Sequence, residues 1–254
     1  MKYIKEHYKF LLFILIMSII GGIFESLYLL NEFDKTLIDE VIKQVGSRSV
    51  FILITTITVV MYGLICGIFG IILSNKIGLF KKFKIEKEAL TKTIIISIIG
   101  GIIMILGDLL VFGNINSLIK DLYVNKPTIE YIILSFTYGG VMEEVMLRLF
   151  FMSLVIFVIS KIFYKDKTIP TKVFIISNII SALVFALLHL PATYQTFGNL
   201  TIDLIIRCII MNGSFGVAFG YLYRKYGIGY SMLAHFGCHL ISKLTWLLFI
   251  QEEL

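Results

Sequence analysis

The sequence has few charged residues, few prolines and few cysteines, and two of these shortages exclude a class of protein. Only 16% of its 254 residues are charged, whereas 58% are hydrophobic. Soluble domains have about 25% charged and about 45–50% apolar residues, so this composition excludes an ordinary soluble domain. The three cysteines, Cys66, Cys208 and Cys238, all lie in apolar runs and match no zinc-binding spacing. The sequence therefore predicts neither a disulfide framework nor a cysteine-based zinc site.

Long apolar runs are abundant, and they predict an all-α bundle of about seven membrane-spanning helices. Crossing a bilayer takes about 20 apolar residues. Seven runs approach or exceed this length: 8–30, 49–74, 93–113, 128–163, 172–190, 200–223 and 228–250. The three prolines lie where such runs begin or end. We interpret residues 1–254 as a single integral membrane domain, with N-terminal spans in 1–126 and a motif-bearing core in 127–250.

Two segments leave the number of membrane segments between seven and eight. The fourth run has 36 residues, a helix of about 54 Å, which is too long for one straight crossing of about 30 Å. It predicts either a helix that projects into the cytoplasm or a break at Gly139-Gly140. Residues 115–125 are an alternative eighth segment, in the form of an interfacial helix.

Basic residues alternate along the loops, and this alternation predicts the orientation. Residues 75–92 contain six lysines and residues 161–172 contain four, whereas 31–48 is net acidic and 191–199 has no charge. Basic short loops stay in the cytoplasm, so we expect a cytoplasmic N-terminus and an extracytoplasmic C-terminus. Lysines interleaved with spans act as topology signals, and we expect no nucleic-acid partner.

Some polar residues inside the spans have an ordinary structural interpretation. Asp203 and Arg207 are four residues apart on one helix, which predicts an ion pair between them. Glu25, Asp108 and Lys243 lie within a turn or two of span ends, so their side chains are expected to reach the membrane interface.

The stretch 135–157, SFTYGGVMEEVMLRLFFMSLVIF, contains two glutamates and an arginine in an apolar run. An ionisable group at the centre of a membrane costs about 2.5–3.5 kcal/mol, so such groups are usually paired or functional. Residues four apart share a helix face, so Arg148 is placed to pair with Glu144. Glu143 faces elsewhere without a local counter-charge, which suits a general base. The alternative is that all three residues only hold helices together.

Three of the four histidines also lie in predicted spans. His235 and His239 are four residues apart, a spacing that can chelate a metal ion or bind one substrate group. His189 follows Phe185 by four residues, and a lone histidine in an apolar span is more often a hydrogen-bonded core residue than a catalyst. Convergence with Glu143 in one pocket would explain so many titratable groups in lipid. Along straight spans, His189 and His235 lie near opposite membrane faces, so convergence requires a tilted, offset or broken helix.

The order EExxxR, FxxxH and HxxxH, each in a separate apolar helix, resembles the CPBP family of intramembrane glutamic endopeptidases. That family includes type II CAAX prenyl endopeptidases and the bacterial Abi or bacteriocin-processing proteins. The resemblance implies an intramembrane peptidase in which Glu143 and His189 activate water. It also implies that His235 and His239 stabilise the oxyanion. Glu144, Arg148 and Phe185 would support the site.

The family usually has Asn or Asp at the position of His239, and an imidazole N–H can donate a hydrogen bond as an amide does. The resemblance implies no cofactor, a membrane-associated peptide or protein as substrate, and a bacterial cell membrane as the location. A leader peptide, pheromone precursor or membrane regulator is a more plausible substrate than a prenylated protein in a prokaryote.

Two other functions fit the same residues. A zinc-dependent membrane protease could use His189, His235, His239 and Glu143 as ligands, because three histidines and an open position are common at catalytic zinc. The sequence lacks HExxH, so the carboxylate would have to come from another span. Alternatively, the chain is a non-enzymatic immunity or regulatory membrane protein.

Overall fold

A computed structural model of the protein describes residues 2–33, 35–165 and 168–249. This part of the chain contains helices and loops but no strand. The principal helices are α1 Tyr8–Glu32, α2 Lys35–Val45, α3 Arg48–Lys76, α4 Lys87–Ile115, α5 Ile129–Tyr164, α6 Thr171–Phe197, α7 Ile202–Tyr226 and α8 Ile228–Phe249. One short helix, Lys2–Glu6, precedes α1.

Six helices are long and apolar enough to cross a membrane, judged by length and composition: α1, α3, α4, α5, α6 and α7. Together with the surrounding architecture, they confirm the predicted all-α polytopic bundle. The seventh predicted span forms α8, a helix of 22 residues that carries His235, His239 and Lys243. Because these polar residues lower its hydropathy, the count of seven crossings stays a prediction.

Helix α5 lies at the centre of the bundle and contacts α1, α3, α6, α7 and α8. The other long helices form close pairs around it: α1 with α3, α4 with α8, and α6 with α7. Glycines allow these pairs to approach closely. A Cβ added at Gly22 would lie 2.7 Å from the Cα atom of Thr56, and one at Gly101 would lie 2.5 Å from the Cβ atom of Ile241. Small residues at such contacts are typical of membrane helix packing.

The predicted break at Gly139-Gly140 is wrong, because α5 is one continuous helix of 36 residues. Its hydrogen bonding is π-helical over Ser135–Glu143, Val145–Met152 and Ser160–Tyr164. The two glycines instead let α8 approach: a Cβ at Gly140 would lie 3.1 Å from the Cα atom of Phe236. Wide i→i+5 turns occur frequently at functional sites, and two of these segments flank Glu144.

The two connections before α3 and α5 differ from the sequence-based expectation. Residues 115–125 contain only the last residue of α4 and one helical turn, Leu118–Asp121, instead of an interfacial helix along the segment. The loop over 31–48 contains the amphipathic helix α2, which long apolar runs do not predict.

The predicted Asp203–Arg207 ion pair is wrong. Arg207 pairs with Asp108 of α4, with 2.6 Å from Arg207 Nε to Asp108 Oδ1 and 2.6 Å from Arg207 Nη2 to Asp108 Oδ2. Asp203 instead accepts a hydrogen bond of 2.9 Å from the Asn116 side chain. A bidentate bond to a carboxylate on another helix has the geometry that a guanidinium favours, and sequence spacing along one helix cannot reveal such a partner.

The side chains of Glu25, Asp108 and Lys243 do not reach the membrane interface, contrary to the prediction. Asp108 and Lys243 are buried, and the Oε2 atom of Glu25 is buried without a hydrogen-bond partner among the described residues. All three line an internal cavity. The polar groups of these three side chains therefore point into the protein.

Candidate active site

Three of the predicted site residues converge from three different helices. Glu143 Oε1 of α5 lies 3.6 Å from His189 Nε2 of α6. Glu143 Oε2 lies 3.7 Å from His235 Nε2 of α8. The Glu143 side chain is 16% exposed and therefore largely enclosed. The structure thus brings together the carboxylate and two imidazoles that straight, level spans would have kept apart.

The offset between helices explains how these residues meet. Glu143 lies 21 residues before the end of α5 at Tyr164, about 31 Å along the helix, whereas His235 lies seven residues after the start of α8, about 10 Å. Chain connectivity places the end of α5 and the start of α8 on the same side of the bundle. For Glu143 and His235 to meet, the two helices must therefore be offset along the bundle axis or tilted. In α6, regular hydrogen bonding is interrupted at His189 itself, which is followed closely by Pro191.

Glu144 has a different set of contacts from its neighbour Glu143. Its Oε1 atom lies 3.0 Å from Arg148 Nη1, as the spacing of four residues predicts, and both side chains are 0% exposed. The same oxygen accepts a hydrogen bond of 2.9 Å from His235 Nδ1. The Ser231 hydroxyl donates a short hydrogen bond to Oε2. Glu144 is therefore a structural carboxylate that orients the His235 ring.

Aromatic rings surround the buried guanidinium and the two imidazoles. The Arg148 guanidinium carbon lies 4.3 Å from the Phe185 ring centroid and 5.6 Å from that of Phe219, which are distances of a cation–π contact. Phe185 also contacts His189 edge-on, with ring centroids 4.7 Å apart. Phe219 stacks on His235 at 4.5 Å. Phe185 thus packs on both Arg148 and His189.

The hydrogen bonds of the two imidazoles determine which nitrogen carries the proton. His189 Nδ1 lies 2.8 Å from the Phe185 carbonyl oxygen, which can only accept, so this nitrogen is the donor. His235 Nδ1 likewise donates to the Glu144 carboxylate. When either ring is neutral, its Nε2 atom is an acceptor that faces Glu143. A water molecule has two O–H donors and can then bond to Glu143 and to one of the two Nε2 atoms.

His239 lies beside this cluster without an ion pair to it. Its ring stacks on His235 with centroids 4.9 Å apart. Its Nδ1 atom is buried and has no hydrogen-bond partner among the described residues. On the other side of the ring, a Cβ at Gly139 would lie 2.7 Å from His239 Nε2. An unbonded buried nitrogen calls for a physical explanation, and a ligand that is bound only during reaction would provide one.

Three residues of the site were not predicted: Ser231, Phe219 and Gly216. Ser231 precedes His235 by four residues on α8, and that spacing is a signal that could have identified it. Phe219 and Gly216 lie on α7, which carries no recognisable motif. A Cβ at Gly216 would lie 2.9 Å from the Cα atom of Ala182 and 3.1 Å from Arg148 Nη2, so glycine makes room for the guanidinium.

The zinc alternative finds no ready ligand set in the described part of the chain. Within those residues, no group of three His, Cys, Asp or Glu side chains is placed to hold a metal ion.

The cluster lines a cavity of about 840 Å³. Glu143, His189, His235 and His239 all border it. The cavity extends to the loops that join α1 to α2 and α4 to α5, and to the end of α6. Chain connectivity places these three regions on one side of the bundle, which the loop charges predict to be extracytoplasmic.

Residues 125–241 match the family model described as Type II CAAX prenyl endopeptidase Rce1-like. This match includes all of the predicted site residues, and it supports the resemblance drawn from the three motifs. A comparison with curated proteins found no match. A comparison with solved structures found no match either.

Proposed function

Residues 125–241 belong to the type II CAAX prenyl endopeptidase Rce1-like family, and from this premise we propose that the chain is an intramembrane glutamic endopeptidase. Membership of the family supports a membrane protease with a membrane-associated protein or peptide as its substrate. The proposal adds that Glu143 is the base that activates water. A leader peptide or a membrane regulator is the kind of substrate that we propose.

One observation carries the proposal: the Glu143 carboxylate lies between His189 Nε2 and His235 Nε2 on the wall of a cavity. Both distances, 3.6 and 3.7 Å, exceed a direct hydrogen bond of about 2.7–3.2 Å. A water molecule that donates one proton to Glu143 and the other to His189 fits this arrangement. Glu144 cannot take the same role, because Arg148, His235 and Ser231 already occupy its oxygens.

The proposed reaction uses these groups in order. Glu143 accepts a proton from water while the water oxygen bonds to the carbonyl carbon of the scissile amide. The carbonyl electrons move to oxygen, and the tetrahedral intermediate carries an oxyanion. The C–N bond then breaks as Glu143 passes this proton, directly or through His189, to the leaving nitrogen. The products are a carboxylic acid and an amine, and neither an oxidant nor a cofactor is consumed.

Oxyanion stabilisation is proposed for His235 and His239. His235 Nδ1 donates to Glu144, so its Nε2 can donate to the oxyanion only when the ring carries a second proton. His239 has an unbonded buried Nδ1 that can donate when a substrate is present. Loss of one such donor costs about 10²–10³ in rate.

The experiment that tests the proposal compares the wild-type protein with Glu143→Gln. Both proteins, purified in detergent and reconstituted in lipid, are incubated with a panel of membrane-associated peptides, and the products are identified by mass spectrometry. We expect cleavage by the wild type alone, with equal folded yields. A folded and fully active Glu143→Gln protein would exclude Glu143 as the base.

Chelation distinguishes the zinc alternative within the same assay. We expect wild-type cleavage to persist after metal ions are removed with a strong chelator. Loss of activity on chelation, recovered with added zinc, would instead favour a zinc protease. The non-enzymatic alternative gains support from two results together. No peptide in the panel is cleaved, and cells that carry Glu143→Gln have the same phenotype as cells that carry the wild type.

A further inference from the structure

The buried cation Lys243 lines the same cavity as the catalytic cluster, one turn beyond His239 on α8. It is 5% exposed. Its Nζ atom lies 3.7 Å from the centroid of the Tyr131 ring and 5.3 Å from that of Trp246. Two aromatic faces therefore hold this ammonium group in place.

No carboxylate among the described residues lies within 4.0 Å of Lys243 Nζ. The carboxylate of Asp108 lies near this site. It accepts a hydrogen bond from the hydroxyl of Tyr123, and the Tyr123 ring packs on Trp246. The oxygens of Asp108 are already bonded by Arg207 and Tyr123. Lys243 is thus a buried amine that lacks an anionic partner within the described ranges, and a buried ammonium group is normally paired.

We propose that Lys243 determines substrate specificity by binding a carboxylate carried by the substrate. This inference rests on the proposed function and adds a substrate class to it. A carboxylate would supply a counter-charge to the ammonium form, and the bond would form inside the cavity, where two charges attract more strongly than in bulk water. Tyr131 and Trp246 act as positioning residues that fix the ammonium group toward the cavity.

The distance between Lys243 and the catalytic cluster determines where this carboxylate lies in the substrate. Eight residues separate His235 from Lys243 on α8, about 12 Å along the axis. An extended peptide covers this distance with about three to four residues. The carboxylate is either the side chain of an acidic residue at this position or the free C-terminus of the peptide.

The experiment measures binding, so that it does not depend on cleavage. The probe is a fluorescent hexapeptide of apolar residues in four versions, which combine Glu or Gln at the penultimate position with a free or amidated C-terminus. Affinity for the Glu143→Gln protein in lipid nanodiscs is measured by fluorescence anisotropy. We expect at least one version with a carboxylate to bind about tenfold more tightly than the neutral version, as one charged hydrogen bond allows.

Variants of Lys243 then assign this preference to the lysine. In Lys243→Met, the ratio of affinities for charged and neutral peptides should fall to about one. Lys243→Gln serves the same purpose where the methionine variant is not recovered. The matched control is Lys76→Met, because Lys76 also lies over an aromatic ring, 5.5 Å from Phe157, but does not line the cavity. This control should keep the full ratio.

The outcomes separate this inference from the proposed function. A preference for the free C-terminus identifies the chain end as the ligand, and a preference for Glu identifies a side chain. Equal affinities for all four peptides, or a preference that survives the loss of Lys243, would overturn the inference even if the wild type cleaves peptides. A preference that depends on Lys243, without cleavage by the wild type, would support the anion site while the proposed catalysis fails.

Discussion

At the scale of single residues, the site depends on two adjacent carboxylates with opposite environments. Glu144 is completely buried and bonded by Arg148, His235 and Ser231. Glu143 faces the cavity, and the two imidazole nitrogens beside it lie at distances longer than a hydrogen bond. Neighbours on a helix point in different directions, so adjacency in sequence permits two separate roles. These environments support the proposal that Glu144 maintains the structure of the site and that Glu143 acts on the substrate.

The roles of Glu144 and Arg148 can be tested by single and double substitution. Glu144→Gln or Arg148→Met alone leaves a buried charge without its partner, and we expect each to lower stability by about 3–5 kcal/mol. The double variant removes both charges, while the amide oxygen of the introduced glutamine can still accept from His235 and the introduced methionine can pack on Phe185. The double variant should therefore be more stable than either single variant.

Thermal unfolding and folded yield in detergent would measure these effects. The exposed Glu40 of α2 provides a control, because Glu40→Gln also removes one negative charge and should change stability by less than about 0.5 kcal/mol. If the three variants are as stable as the wild type, the Glu144–Arg148 pair has no structural role.

His239 allows a second test at this scale, because the family usually carries Asn or Asp there. If His239 donates to the oxyanion, His239→Asn should keep a substantial share of activity. His239→Ala should lose about 10²–10³ in kcat with little change in KM. If His239 is instead a zinc ligand, Asn should be nearly as damaging as Ala, because an amide is a poor zinc ligand. An inactive Asn variant together with stoichiometric zinc in the wild type would contradict the glutamic mechanism.

At the scale of helices, apolar runs predicted the long helices but not their contacts. Hydropathy located the spans because a crossing needs a fixed number of apolar residues. It could not reveal that α5 remains continuous through Gly139-Gly140, since glycine is compatible both with a break and with close packing. The ion pair between Asp108 and Arg207 was also missed, because its partners lie on different helices. Motif spacing within one helix did predict the pairing of Glu144 with Arg148.

Close packing of α6 and α7 gives a prediction at this scale. A Cβ at Gly216 would lie 2.9 Å from the Cα atom of Ala182 and 3.1 Å from Arg148 Nη2, so Gly216→Ala must separate the helices or displace the guanidinium. We expect a loss of about 1–3 kcal/mol in stability and reduced activity.

Gly213 on the same helix is the matched control. A Cβ there would be 4.0 Å from the nearest atom, the Cβ of Ala186. Gly213→Ala should therefore be neutral or stabilising by about 0.5–1 kcal/mol, as alanine is favoured over glycine in a helix. Thermal unfolding of both variants would measure the difference. Equal stabilities would show that α6 and α7 can move apart without cost.

At the scale of the whole molecule, the N-terminal helices contribute to the site although the family match begins at residue 125. Glu25 and Tyr28 of α1 and Asp108 of α4 line the same cavity as Glu143. The cavity therefore depends on α1 and α4 as well as on the helices of the matched region. The cavity extends to the loops after α1, α4 and α6. The loop charges predict that these loops lie outside the cell, so we expect the cavity to open on that side.

Cysteine labelling in intact cells tests this orientation and its consequence for substrate access. The background protein has Cys66, Cys208 and Cys238 replaced by alanine or serine, and single cysteines are introduced at the exposed positions 82, 165 and 196. An impermeant thiol reagent added outside should label position 196, whereas positions 82 and 165 should label only after the cells are permeabilised. Labelling at 82 from outside would reverse the orientation.

Position 196 also lies at the cavity, because Thr196 is one of its lining residues. If substrates enter from the loop side, a bulky impermeant reagent attached at 196 should reduce cleavage in intact cells. The same reagent attached at 82 or 165, in permeabilised cells, should leave cleavage unchanged. Full activity with position 196 completely labelled would mean that substrates reach Glu143 by another route, such as laterally between helices from the bilayer. The direction of the cavity would then not be the direction of substrate entry.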